Sequence, residues 1–94
     1  KNIIDENGYK IPGDGMLNNI GYEFLQNEMS DAAIDVFKLN TELFPNVANC
    51  FDSLGEAYFM TGNKEEAKIN YAKVLELNPN NENAKKMLKK INGM

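Results

Sequence analysis

Arginine, histidine and tryptophan are absent from this 94-residue chain, and cysteine occurs once. Without histidine, no side chain has an unperturbed pKa near neutrality. A Ser/His or Cys/His nucleophile pair, or a His-ligated metal site, therefore cannot be assembled from this chain alone. No catalytic residue, cofactor site or metal site is expected, and the chain by itself is read as not an enzyme. Without arginine there is no planar donor fork for bidentate recognition of carboxylate or phosphate, since all ten basic residues are lysine. The formal net charge of -4 also opposes docking to a phosphate backbone, so nucleic acid is not an expected partner.

The lone Cys50 cannot close an internal disulfide and leaves the redox compartment open. It falls inside a helical pattern with no basic group close before it. A small buried side chain is its expected role, and a reactive thiol the alternative. Long apolar runs are missing too: none approaches the roughly 18 residues that span a bilayer, and the amino terminus has no charged-then-apolar signal pattern. No membrane partner is expected, and no compartment is assigned. Because the chain opens at Lys1 without a methionine, it is expected to be a segment of a longer protein.

What is present is a 43% hydrophobic content, enough for one compact domain with a thin core. The chain also repeats itself. A shift of 34 residues aligns Gly21 with Gly55, Ala33 with Ala67, Leu43 with Leu77, Pro45 with Pro79 and Asn46 with Asn80. Large residues keep the same register: Leu17 with Phe51, Ile20 with Leu54, Phe24 with Tyr58, Phe37 with Tyr71. A period of this size marks a repeat architecture.

Apolar positions inside each unit recur at helical spacing, Leu17, Ile20, Gly21, Phe24 and Leu25, then Ala33, Ile34 and Phe37. Two helices per unit follow. Ser30 is the expected N-cap of the second helix in the first unit, with Asp31 in its first turn. Gly62 and Asn63 mark the same boundary in the second, followed by Glu65 and Glu66 at the positive end of the helix dipole. Pro45 and Pro79 end the second helices, because proline lacks an N–H and forces its predecessor out of helical geometry. Asn46 and Asn80 are then placed to begin the next helices.

Glycine in a helix interior costs about 1 kcal/mol relative to alanine, so Gly21 and Gly55 imply a compensating close helix approach. Residues 82 to 91 form a closing amphipathic helix, Ala84, Met87, Leu88 and Ile91 on one face and Lys85, Lys86, Lys89 and Lys90 on the other. Its lysines either form a solvated cap that complements the negative helix end or dock an acidic partner. Residues 1–13, broken by Gly8, Pro12 and Gly13, are expected to be an extended linker whose isoleucines fold back over the first helix.

The pattern Leu17, Ile20-Gly21, Phe24, Ala33, Phe37, Pro45, repeated as Phe51, Leu54-Gly55, Tyr58, Ala67, Tyr71, Pro79, resembles the tetratricopeptide repeat. It departs from the family at its usual tryptophan, here Leu17 and Phe51, and at its late small residue, here Asn40 and Val74. The resemblance implies an all-α fold of five helices in a right-handed α-α superhelix. Its domain would run over residues 14–92, with repeats at 14–47 and 48–81 and a capping helix at 82–92.

It also implies a concave groove lined by the first helix of each pair, which binds a peptide or partner helix. Mapped here, the groove comprises Asn18, Tyr22, Leu25, Asn49, Asp52, Glu56, Phe59, Asn83, Lys86 and Lys90. Asp52 and Glu56 lie one turn apart, as do Lys86 and Lys90. These charges either pair with one another across the groove or form a mixed-charge ligand site. One family subtype clamps the terminal carboxylate of chaperone tails at positions that fall here on Asn18, Tyr22, Ser53, Asn83 and Lys86. Only the last is a cation, so this chain departs from that clamp.

A further likeness, in Gly8 to Pro12, Leu17 to Tyr22 and Asp52 to Tyr58, is to the repeat tail at the carboxyl end of certain bacterial serine hydrolases of the esterase or β-lactamase-related kinds. The expected function is a non-catalytic protein-protein interaction module. An accessory domain of a larger hydrolase is the alternative, and a self-association module, stacking end to end, is a further one.

Overall fold

The structure, a computed structural model, describes residues 3–4, 10–11 and 14–93. Five helices follow in order: α1 (Asp14–Gln26), α2 (Ser30–Leu43), α3 (Ala48–Met60), α4 (Lys64–Leu77) and α5 (Glu82–Asn92). Ahead of them, β1 (Ile3–Ile4) and β2 (Lys10–Ile11) pair antiparallel, with Ile3 opposite Ile11. This pairing was not foreseen for a segment expected to be an extended linker. The suggested packing of Ile3 and Ile4 over the first helix concerns side chains outside the described residues.

Successive helices pack on one another, and α3 also touches α1, so α3 meets α1, α2 and α4. The fold is all-α. Helices α2 and α4 stop where proline dictates. Phe44, before Pro45, sits at φ -130 and ψ 66, and Asn78, before Pro79, at φ -143 and ψ 88, both outside the helical region.

The other boundary in each unit is set by a left-handed residue. Glu28 at φ 60 and Gly62 at φ 85 occupy equivalent places 34 residues apart. After each, a backbone N–H reaches back into the preceding helix at 2.8 Å, Met29 to the carbonyl of Phe24 and Asn63 to that of Tyr58. These bonds satisfy carbonyls that the helix end would otherwise leave without a partner.

The capping expectations need correcting accordingly. Ser30 is the first residue of α2 and Met29 holds the cap position, whereas Asn63 does stand at the cap position of α4, at the boundary expected there, without a side-chain cap bond. The stop of the preceding helix, by fixing the backbone at Met29 and Asn63, decides where the next begins. Asn46 and Asn80 likewise stand before the cap positions, which are Val47 and Asn81. The side chain of Asn81 accepts the N–H of Ala84 at 2.8 Å, a capping bond worth about 1 kcal/mol.

Two apolar clusters form the core. Ala33, Phe37, Leu54 and Ala57 join α2 to α3, and Ala67, Tyr71, Val74, Ala84 and Ile91 join α4 to α5. Tyr58 packs against both, so one aromatic ring on α3 makes the two clusters continuous. Cys50 is fully buried, in keeping with the structural role expected of it.

The glycines explain the close approach within each pair. A Cβ on Gly21 would fall inside the ring of Phe37, 2.6 Å from Cζ, and one on Gly55 would lie 3.1 Å from Cε2 of Tyr71. Phe37 is wholly buried and has no room to retreat. Gly21→Ala therefore incurs an overpacking penalty of about 1–3 kcal/mol that exceeds the helix-propensity gain of about 1 kcal/mol. Gly55→Ala, where Tyr71 need yield only a few tenths of an ångström, is expected to change stability by less than about 1 kcal/mol. Thermal melts of the two variants will show a clear fall for the first and a small change of either sign for the second.

Glu28 supplies a second stability test, because a non-glycine residue in the left-handed region costs about 1–2 kcal/mol. Glu28→Gly removes that cost but adds about 0.5–1 kcal/mol of unfolded-state entropy. A net gain on the order of 0.5 kcal/mol is expected. A melting temperature that stays level or falls contradicts it.

Candidate functional site

Helices α1, α3 and α5 are the first helices of successive units and the closing helix. Their facing residues are joined by side-chain bonds that skip the intervening helix and link successive units. The Tyr22 hydroxyl on α1 donates to Glu56 Oε1 on α3 at 2.6 Å. Asn83 Nδ2 on α5 donates to Asp52 Oδ1 on α3 at 3.0 Å. The buried Ser53 hydroxyl donates to Asn18 Oδ1, with the carbonyl of Asn49 3.1 Å away as the other acceptor in reach.

Five of the mapped residues, Asn18, Tyr22, Asp52, Glu56 and Asn83, are thus brought into one polar strip across three helices. Phe59 flanks it, half-buried against the second core cluster, with the Lys90 ammonium 5.4 Å from its ring centroid. That distance is within cation–π range. Leu25 is not joined to the strip. It packs with Tyr22, Phe24 and Ile34 against the first core cluster. Asn49 and Lys86 are exposed, and neither side chain takes part in the bonds that build the strip.

Charge pairing across the groove does not occur. Among the described residues the ion pairs are Lys68–Glu65, Lys73–Glu76 and Lys85–Glu82, each within one helix. Asp52 and Glu56 instead accept from neutral donors, an amide and a phenol. The reason is geometric: Tyr22 and Asn83 are anchored beside the carboxylates, whereas Lys86 and Lys90 end long stems on the exposed face of α5.

The electrostatic consequence appears in three groups. Burial, chiefly, pushes the Asp52 carboxyl above its ordinary value; the Asn83 bond works against this and the nearby Glu56 charge adds to it. Tyr22 is pushed up to about 12, first by burial, then by its donation to Glu56, against a lowering contribution from Ser53, with the charges of Glu56 and Asp52 adding the rest. Tyr71 is raised by burial first and then by the charges of Asp52 and Glu56. Tyr22 is thus a neutral donor to Glu56 at physiological pH.

Beside the strip lies an open cleft of about 300 Å³ lined by Glu56, Phe59, Met60, Tyr71, Asn83 and Met87. Met60, Tyr71 and Met87 are not among the residues expected from the sequence. Tyr71 and Met87 read there as core positions, and nothing in the spacing of Met60 marks it. Only the juxtaposition of α3, α4 and α5 turns them into one wall.

In class, then, the chain is an all-α helical repeat whose first helices share a cross-linked polar face. More particularly, residues 48–81 match the family model of the tetratricopeptide repeat. The fold is similar to the first tetratricopeptide-repeat domain of Spaghetti (RPAP3) bound to the HSP90 peptide SRMEEVD, at 28% identity and a TM-score of 0.79. It is equally similar to the first such domain of human RPAP3, at 28% identity and a TM-score of 0.80. In both comparisons 86% of this chain is covered, and it spans 64% of the other chain. No curated protein matches the sequence.

Asp52 yields a pH prediction. Its folded-state pKa lies above the unfolded value, so in the window between the two the native state binds more proton and stability falls as pH rises. Above that window the full penalty is present. Asp52→Asn, whose amide oxygen still accepts from Asn83, is expected to be as stable as the parent or more so at pH 7. That advantage should shrink as pH falls through the carboxylate range. Melts at several pH values check this, and a variant that loses stability at pH 7 and regains it in acid reverses the sign.

Proposed function

We propose that this chain is a non-catalytic interaction module that takes a peptide or partner helix along the face made by α1, α3 and α5. The observation that carries this reading is the cross-helix strip of Tyr22, Glu56, Asp52 and Asn83 beside the cleft at Phe59 and Met87. A pre-ordered polar floor with adjacent aromatic and methionine walls presents contact area whose side chains are already held in place, which lowers the ordering cost of binding. The bonds between units also keep the three helices in fixed register, so a ligand meets a surface of constant spacing.

Further support comes from the similar RPAP3 domain, which holds a peptide. Tetratricopeptide-repeat domains are in general interaction modules without catalytic activity. Repeat folds present surfaces, and this chain has no histidine or arginine with which the commoner catalytic sites are built.

The test is a titration of the ¹⁵N-labelled chain with a pool of short peptides and amphipathic helices, followed by amide shifts. Perturbations are expected at Tyr22, Glu56, Phe59, Asn83 and Met87. Perturbations confined to α2 and α4, sparing those five, place the binding surface on the other side and refute the groove.

A further inference from the structure

The charges in the groove are unevenly placed, and this bears on which ligand it accepts. Asp52 and Glu56, one turn apart on α3, are half-buried at its floor, and each receives one hydrogen bond from a neutral donor. A carboxylate carries acceptor capacity on both oxygens, so each retains room for a further donor. The cations of α5 are not at the floor. Lys86 is exposed, and the Lys90 ammonium lies over the Phe59 ring, 5.4 Å from its centroid. No described lysine lies within ion-pair distance of Asp52 or Glu56.

Burial first, with the charges of Asp52 and Glu56 adding to it, raises the ionisation of both Tyr22 and Tyr71, in keeping with two carboxylates set at the floor beside them. Next to these carboxylates the cleft is walled by Phe59, Met60 and Met87, flat and flexible apolar surfaces suited to an aliphatic stem. A carboxylate floor with an aromatic and thioether wall complements a side chain that is apolar along its length and cationic at its tip.

Taking the groove as the binding surface, on which this inference rests, we propose that it selects a peptide presenting a lysine or arginine. The stem of that side chain lies on Phe59, Met60 and Met87, and its charge reaches Glu56 and Asp52. This preference is opposite in sign to what an acidic tail would require. An anionic side chain at the same place would face two partly desolvated carboxylates, where like charges repel with little screening. Lys86 stands at the solvent edge, where its repulsion of an incoming cation is screened, and the incoming stem displaces the flexible Lys90 side chain from Phe59 into water.

The experiment compares two amidated heptapeptides by calorimetry and by amide shifts: SAMEEVD, which has no cationic side chain, and a counterpart with lysine in place of its two glutamates and its aspartate. The lysine peptide is expected to bind at least about tenfold more tightly, and its advantage to shrink at high salt. The double variant Asp52→Asn, Glu56→Gln should weaken the lysine peptide by about tenfold or more and leave the acidic one no weaker. Glu76→Gln, at an exposed α4 position that does not line the cleft, should leave both unchanged. Equal affinities, tighter binding of the acidic peptide, undiminished lysine binding in the double variant, or no binding of either peptide overturns the proposal. Should the affinities be equal while shifts still cluster at Tyr22, Phe59 and Met87, the groove stands and only the charge selection fails. Shifts elsewhere remove both. A melt of the double variant checks that it is folded, and an unfolded one is replaced by Glu56→Gln alone, read against the same outcomes.

Discussion

Everything else in the molecule hangs from an aromatic ring seated on a glycine. Phe37 lies against Gly21 so closely that not even a methyl group fits between them, and Tyr71 lies against Gly55 with little more room. The helix-propensity cost of each glycine is about 1 kcal/mol, and the close-packed contact it permits offsets this through dispersion and burial. With the pairs drawn in this tightly, α1 and α3 come within reach of each other. The rings of Phe37 and Tyr22 meet edge to face at a centroid distance of 5.2 Å and an interplanar angle of 67°. That contact, an arrangement aromatic quadrupoles favour, hands the order of the core to the groove, because the ring held by Phe37 is the one whose hydroxyl reaches Glu56.

The polar strip is accordingly an extension of the packing. Its donors, Tyr22, Ser53 and Asn83, sit on short or rigid side chains close to the helix axes, and they satisfy acceptors that would otherwise be left half-buried and unpaired. Satisfying a carboxylate with neutral donors leaves its charge in place. The groove floor thus keeps its negative charge although its hydrogen bonds within the fold are made, and no described lysine forms an ion pair with it. A surface that is ordered but not neutralised differs from one whose ion pairs are closed within the fold, and it is this difference that gives the groove a preference by sign.

Much of this was legible in the residues. The 34-residue match of Gly21 with Gly55 and Phe37 with Tyr71 marked the pairs and their close approach, since few reasons other than packing keep a glycine mid-helix. Pro45 and Pro79 marked the ends, through a local steric rule that tertiary structure does not override. The alignment of Glu28 with Gly62 was equally present in the sequence. It carries no signal, because glutamate does not advertise a left-handed conformation, and Ser30 two residues on has the chemistry of a cap. The partners of Asp52 and Glu56 were not legible either. Helical spacing places residues on a face but cannot say whether a tyrosine from the previous unit or a lysine from the next will reach them first.

What the sequence determined by itself is the class of chemistry and the architecture. A chain without histidine or arginine, repeating every 34 residues with small and large apolar positions in register, is bound to form stacked helix pairs, because periodicity and steric fit are local properties read one unit at a time. Tertiary structure alone decided how Asp52 and Glu56 are satisfied, which side chains wall the cleft, and that Met60, Tyr71 and Met87 share it. Those outcomes depend on distances between side chains in different units, set by how closely the helices pack.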